Sequence, residues 1–363
     1  EHGVSSNTTF DPFGVNKEGW YWYASDIKAP TLWAVATQAK LMTAAVNWPV
    51  TAGDPNINYL VPEYWRASTV DDIKLIRVLA RPIGFLEGYE KQLGSYVDGD
   101  TNTIEADRVR TRFALKLIAD KHPDFMALHL AAFDEIEHDD GPFQTTAFAA
   151  LEALDAMIGE LRKAALAANP RTVVVIVSDH GFRATQSTVN LRVPLVNAGL
   201  IKLKPAAPNK LPQVASWDAQ VWLSGGSAAI VLHDRKDEKV PKQVDALLTQ
   251  LKSDAHNGIA RVLNADDVHK RGGFPEADWV VECAPGFYVG GALRGELIAP
   301  APMKGMHGYV PDQSAMHASF FMQGAGVGKH TVGVVDMRQL APTFAKILGV
   351  KLPSATQSPI AFE

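Results

Sequence analysis

Val173-Val174-Val175-Ile176-Val177-Ser178-Asp179-His180-Gly181-Phe182 opens with five consecutive β-branched apolar residues and closes on an Asp-His pair followed by glycine. Such a run reads as a strand covered on both faces, and the polar pair arrives where the strand must break into a loop. Strand ends of this kind are where α/β proteins gather their chemistry. A carboxylate beside an imidazole can ligate a divalent cation such as Zn²⁺, with Gly181 letting the backbone turn tightly away. Two donors do not complete a site, so the reading depends on what the rest of the chain brings to the same edge.

The sequence before this stretch repeats a helix-then-strand order. Leu151, Leu154, Ile158, Leu161 and Ala165 form a helical stripe that Asn169-Pro170 stops. One cycle earlier, Val109, Phe113 and Leu117 mark an amphipathic helix over residues 105–119, Pro123 ends the segment, and residues 125–133 read as a second buried strand. Residues 43–48 read as a short buried strand stopped by Pro49. The alternation predicts an α/β fold, a mostly parallel central sheet with helices on both faces. Residues 1–35 carry Trp20, Tyr21, Trp22, Tyr23 and Trp33 and read as irregular structure over a pocket mouth, the aromatics supplying packing area.

Beyond Leu200 the pattern changes. A Pro-rich loop at 204–212, a hairpin through 221–223 and 229–231 around Gly225-Gly226, a helix at 244–251 and strand at 279–289 predict a smaller α+β insertion. The last cycle is a strand at 319–322 and a helical stripe through Leu340, Phe344 and Ile347 closed by Gly349, with Pro342 either in its first turn or kinking it. The expected division is a main core over 1–200, the insertion over 201–300 and a return to the core over 301–363.

Bulk properties narrow the function. With 35 Lys+Arg against 40 Asp+Glu the formal charge is -5, so no binding of a nucleic-acid duplex is expected. No run approaches the roughly 18 apolar residues of a membrane span. Cys283 is the one cysteine, which excludes an internal disulfide and a thiolate cluster; a metal site here must be built from Asp, Glu and His.

The second strand also ends in chemistry, at Asp134-Glu135-Ile136-Glu137-His138-Asp139-Asp140-Gly141-Pro142. If Asp134 opens a helical turn, His138 lies one turn further on the same face. A third imidazole is offered by Gly305-Met306-His307-Gly308-Tyr309, with Met316-His317 just beyond. Taken singly, each histidine is more often a hydrogen-bonded surface or core group than a ligand. Their strand-end placement together predicts a metal site, and three protein ligands with an open position would make it catalytic.

These motifs, in this order and spacing, resemble the type I phosphodiesterase/nucleotide pyrophosphatase family of the alkaline phosphatase superfamily. His2-Gly3, Asn7 and Asp11-Pro12 match the family's opening pattern as well. The resemblance implies a hydrolase of phosphate esters with two Zn²⁺, in sites that also accept Mn²⁺ or Fe, acting on a small phosphorylated substrate such as a nucleotide or phosphodiester. By that similarity Asp134, His138 and His307 hold one metal, Asp179 and His180 hold part of the other, and Asn7 stabilises a phosphoryl oxygen. His317 is assigned a supporting or packing role, Asp139 and Asp140 are solvated, and Glu137 orients a ligand histidine.

Two parts of the family pattern are not in this sequence: an Asp ligand after a first strand, and the attacking Thr or Ser. Thr8-Thr9-Phe10-Asp11-Pro12 looks like the nucleophile motif but follows Asn7, so it reads as a decoy. The expectation is that both parts lie upstream of Glu1, that the chain alone is inactive or nearly so, and that its parent is exported. Within the superfamily the alternative is a phosphomonoesterase or sulfatase-like hydrolase, and a carbon-phosphorus hydrolase or phosphate-transfer mutase is a further one; from another class, the alternative is a non-catalytic metal-binding pseudoenzyme.

Overall fold

The computed structural model describes residues 2–15, 19–65, 71–96, 101–205 and 210–362. Glu1 and the middle of the Pro-rich loop at 204–212 lie outside the described residues. In chain order the first elements are α1 (Leu32–Gln38), β1 (Thr43–Trp48), β2 (Tyr59–Pro62), α2 (Asp72–Leu79), α3 (Phe85–Leu93), α4 (Ile104–Lys121), β3 (Phe125–Leu128), α5 (Ala132–Asp140), α6 (Thr145–Ala168), β4 (Val173–Val177), β5 (Arg183–Val189) and α7 (Arg192–Asn197).

β1 is the centre of a parallel sheet ordered β2-β1-β3. Alternate residues along it serve two layers. Ala45 packs with Trp33 of α1 and Leu60, while Ala44 and Val46 join Val109, Phe113 and Leu117 of α4. Helices therefore cover opposite faces of this sheet, as the period-2 alternation of a strand requires. The aromatics near the start of the chain are packing area: Trp22 is buried, and its ring lies 5.4 Å from Tyr64 and 4.8 Å from Trp65.

Two expectations for the strands need correction. The strand predicted over 125–133 stops at Leu128, because the backbone N–H groups of Ala131 and Ala132 donate to the Asp107 carboxylate at 3.1 and 3.0 Å and the chain bends into α5. The β4 strand forms over Val173–Val177 but is not covered on both faces; Ile176 and Val177 are each 37% exposed. Among the described residues its one sheet neighbour is the antiparallel strand β15 described below, so the sheet path breaks there between β3 and β4.

The remaining elements are β6 (Ile201–Leu203), β7 (Val214–Trp217), β8 (Ala219–Ser224), β9 (Ser227–Leu232), α8 (Val240–Ser253), β10 (Ile259–Asn264), α9 (Ala265–Arg271), β11 (Trp279–Cys283), β12 (Gly286–Val289), β13 (Ile298–Pro300), β14 (Gly305–Met306), β15 (Phe320–Gly324) and α10 (Leu340–Leu348). The hairpin around Gly225-Gly226 is β8-β9, part of an antiparallel sheet ordered β10-β11-β9-β8. The predicted strand at 279–289 is split in two at Ala284-Pro285, and Gly286 opens the second strand with a φ of 86°. β5 pairs in parallel with β12 and antiparallel with β13 and β14. The core of this half draws on Val189, Leu191, Ile230, Val281 and Met306. Among the described residues no helix is long and apolar enough to cross a membrane.

Candidate metal centre

Asp134 stands in the first turn of α5 and His138 in its last, four residues on, so both point from one face of a short helix. His138 Nε2 lies 3.4 Å from Asp134 Oδ2. His180 follows β4, and its Nε2 lies 3.8 Å from Asp134 Oδ1. His307 follows β14, again with Nε2 3.8 Å from Asp134 Oδ1. One ligand atom from each of Asp134, His180 and His307 falls within 4.8 Å of the others. This triple draws one member from each of the three motifs, and it sets His180 beside Asp134 and His307, where the resemblance implied a separate position for His180 with Asp179.

Backbone contacts orient the imidazoles. His138 Nδ1 lies 3.0 Å from the Gly305 carbonyl, and His180 Nδ1 lies 3.2 Å from the Gly181 carbonyl. A carbonyl only accepts, so each Nδ1 carries a proton and each ring turns its Nε2 edge toward Asp134. The His307 ring stacks on that of His180, centroids 3.7 Å apart and planes 7° from parallel. Phe182 closes the apolar side, its ring 4.8 Å from His138, 5.9 Å from His180 and 5.4 Å from His307.

The electrostatics suit a cation. Burial and the neighbouring charge of His180 push His307 down to about 4, so it is neutral at physiological pH, as a ligand must be. Burial opposes ionisation of Asp134, but the His138 hydrogen bond and the surrounding imidazoles hold its carboxyl below the ordinary value. Burial works against the charged form of His138 as well, yet its bond to Asp134 raises it. Glu137 is pushed up to about 7 by burial and by the Asp134 charge. Asp134 Oδ1 is buried with no hydrogen-bond partner, an acceptor left for something other than this protein's own donors. The donor set of one carboxylate and imidazole nitrogens, with no thiolate, fits a zinc-type divalent ion.

The other predicted residues are arranged less tightly. The Asp179 side chain is 81% exposed at the rim, with Oδ2 3.3 Å from His180 Nε2 and Oδ1 accepting the His180 backbone N–H. Asn7 and His317 are exposed and line the same cavity. Thr9 donates to the Gly19 carbonyl, and the Asp11 carboxylate accepts the N–H groups of Phe13 and Gly14 in its own loop. Asp139 is exposed, and Asp140 lies 3.5 Å from Lys304 Nζ.

Close backbone approaches hold the three motifs together. Gly181 is needed for space rather than for its turn: a Cβ there would lie 2.2 Å from the Ala315 carbonyl oxygen. A Cβ at Gly305 would meet the Glu137 carbonyl oxygen at 2.1 Å, and Lys304 N–H donates to the His138 carbonyl at 2.8 Å. The β8-β9 turn supports the third motif, with Gly226 N–H donating to the His307 carbonyl at 2.7 Å. Sequence reading missed Asp107, which receives the start of α5 while paired to Arg110 at 2.6 Å, both side chains buried. The signal was there, as opposite charges three apart beside an apolar helical stripe.

Solved structures confirm the architecture. Murine ectonucleotide pyrophosphatase/phosphodiesterase 5, an inactive variant in complex with AMP, is 18% identical with a TM-score of 0.62, covering 98% of this chain and 81% of its own. The human counterpart gives the same identity and score. Phosphonoacetate hydrolase from Sinorhizobium meliloti, in complex with phosphonoformate, is 15% identical with a TM-score of 0.58, covering 96% and 79%. No curated protein sequence matches the chain. The family model described as type I phosphodiesterase / nucleotide pyrophosphatase matches residues 1–310, and this span takes in all three motifs. The chain therefore belongs to the type I phosphodiesterase/nucleotide pyrophosphatase family.

Proposed function

We infer that the chain is a zinc-dependent hydrolase of phosphodiesters or nucleotide-type pyrophosphates. The observation that carries this reading is the convergence of Asp134, His180 and His307, one from each motif, on a single cavity edge. Family membership supports the ester chemistry, and the AMP and phosphonoformate complexes of the similar structures support a small phosphorylated substrate.

In this reading Asp134, His138, His180 and His307 hold metal, with Asp179 at the rim completing a second position. A divalent cation bound there supplies Lewis acidity toward phosphoryl oxygens. The chain's own residues do the rest. Asp134 sets the negative charge that retains the cation, the Gly305 and Gly181 carbonyls fix the tautomers of His138 and His180, and Phe182 excludes water from the imidazole face. Asn7 is exposed and lines the cavity, and its side-chain amide is suited to donate to a phosphoryl oxygen.

Elemental mass spectrometry with matched assays tests this. The chain should retain zinc and lose it in His307→Ala, and its hydrolysis of bis-p-nitrophenyl phosphate should exceed that of p-nitrophenyl phosphate. A monoester preference would overturn the substrate class, and full zinc retention by His307→Ala would overturn the ligand assignment.

A further inference from the structure

β11 carries one carboxylate among apolar neighbours. The strand reads Trp279-Val280-Val281-Glu282-Cys283 and lies between β10 and β9 in its sheet, and the Glu282 side chain is 0% exposed. A charge at such a position is costly unless its oxygens are met by donors. One donor comes from the sheet itself: Arg261, the residue paired with Glu282 across β10 and β11, donates through Nε to Oε2. The rest of the guanidinium holds Asp312 in two bonds, at 2.9 and 2.6 Å. Both donors to Oε1 come from outside the sheet. Val310 donates its backbone N–H at 3.0 Å, and Gln313 donates its side-chain amide. Val310, Asp312 and Gln313 all belong to the segment that leaves His307.

That segment, 307–317, runs from the third motif back to the second. At its start Ser227 Oγ donates to the Gly308 carbonyl at 2.7 Å, beside the bond from Gly226 N–H to the His307 carbonyl. Past Gln313 the chain makes a 3₁₀ turn over Ser314–Met316, in which the Met316 N–H donates to the Gln313 carbonyl at 2.9 Å. The Met316 carbonyl then accepts the Gly181 N–H at 3.2 Å, next to His180. Glu282 is thus tied toward both ends of a path between two imidazoles that stack 3.7 Å apart. Fold stability alone does not ask for this arrangement. A well-packed apolar residue of similar volume commonly serves an interior position as well as a buried ion pair does. What it cannot do is direct hydrogen bonds to a loop.

We propose that Glu282, backed by Arg261, is a positioning residue for the metal centre: it fixes segment 307–317 so that the His307 and His180 rings meet where both Nε2 atoms face Asp134. Glu282 acts through Val310 and Gln313 rather than on a ligand directly. Its two arms are separable. Without the Gln313 arm the Gly181 end loosens, while the His307 end stays held by Gly226 and Val310. Without Glu282 both ends loosen. The inference rests on the hydrolase reading only for what the imidazoles hold, since the anchor itself consists of hydrogen bonds within the chain.

The test compares the whole chain with Glu282→Leu, with Gln313→Ala at a partly exposed position, and with Leu248→Ala in the apolar core on α8 as a destabilised control. Residue-resolved amide exchange on the metal-free protein reads the anchor. Glu282→Leu should speed exchange of the Gly181 and Gly226 N–H groups about tenfold relative to amides of β1 and β9, and Gln313→Ala should do so at Gly181 alone. Loaded with cobalt(II), Glu282→Leu should bind the ion about tenfold more weakly or worse and show a shifted visible absorption. Leu248→Ala should lower the unfolding midpoint and leave the cobalt spectrum unchanged. Unchanged exchange at both glycines in Glu282→Leu, or a rise shared evenly with β1 and β9, would overturn the proposal. So would a parent-like cobalt spectrum in a variant whose two glycine amides have loosened. Where Glu282→Leu does not fold, parent-like exchange of Gly181 in Gln313→Ala overturns it instead. A parent chain that takes up no cobalt would count against the hydrolase reading, and the glycine amides would then decide the anchor by themselves.

Discussion

Glu63 is a buried carboxyl at the end of the β2 strand segment, 3.8 Å from His129 Nδ1. Burial raises it above its ordinary 4.5, against the pull of His129, Arg110 and the Trp65 hydrogen bond, while the Asp179 charge adds to the rise. A carboxyl raised in the folded state binds more protons there than in the unfolded chain. Its contribution to stability is therefore full at low pH and is lost as pH rises from about 4.5 through the folded value. Glu63→Gln should flatten that decline, making the variant gain relative to the parent at pH 8 compared with pH 5 in urea unfolding. At this scale the sequence named residues that the fold brings together, since Asp134, His138, His180 and His307 stood at strand ends with ligand chemistry. Glu63 was not, because nothing local to a Pro-Glu-Tyr segment says that its carboxyl is covered by residues far along the chain.

Elements were legible where periodicity was local. The helices α4, α6 and α10 announced themselves by apolar spacing, and β1 by a short run closed with proline. The end of β3 was not legible, because Asp107, in a helix more than a turn of sequence away, takes the backbone donors that make α5 begin. Asp107→Asn removes the charge from a pair buried at 0% and 2% side-chain exposure. It should cost about 3–5 kcal/mol of unfolding free energy, measured in urea, and weaken zinc retention because α5 carries two ligands. Gly305→Ala drives a Cβ onto the Glu137 carbonyl, so β14 and the end of α5 must separate. Backbone displacement of this kind costs about 1–3 kcal/mol. Loss of zinc at concentrations that saturate the parent, with far-ultraviolet circular dichroism unchanged, is the expected readout.

At the scale of the molecule, two cores meet at the metal centre. One gathers around β1 and α4, the other around β5, β9 and β11. A cation held by Asp134 from the first half and His307 from the strands of the second binds the folded chain and not the unfolded one. Zinc at 100 times its dissociation constant should therefore stabilise the chain by about 2.7 kcal/mol, seen as a raised calorimetric midpoint that His307→Ala abolishes. The α/β architecture could be read from the helix–strand alternation, but the antiparallel pairing of β15 with β4 could not, because a strand's own composition does not record the direction of its neighbour.

The glycine turn of the β8-β9 hairpin rests directly against the backbone of His307. Its consequence is one of exchangeability. Outward-facing positions of the antiparallel half are free to drift by substitution, since they touch nothing that holds the cation. The half as a unit is not a cassette: any replacement would have to reproduce a two-glycine corner at one spot to seat an imidazole borne by a different segment.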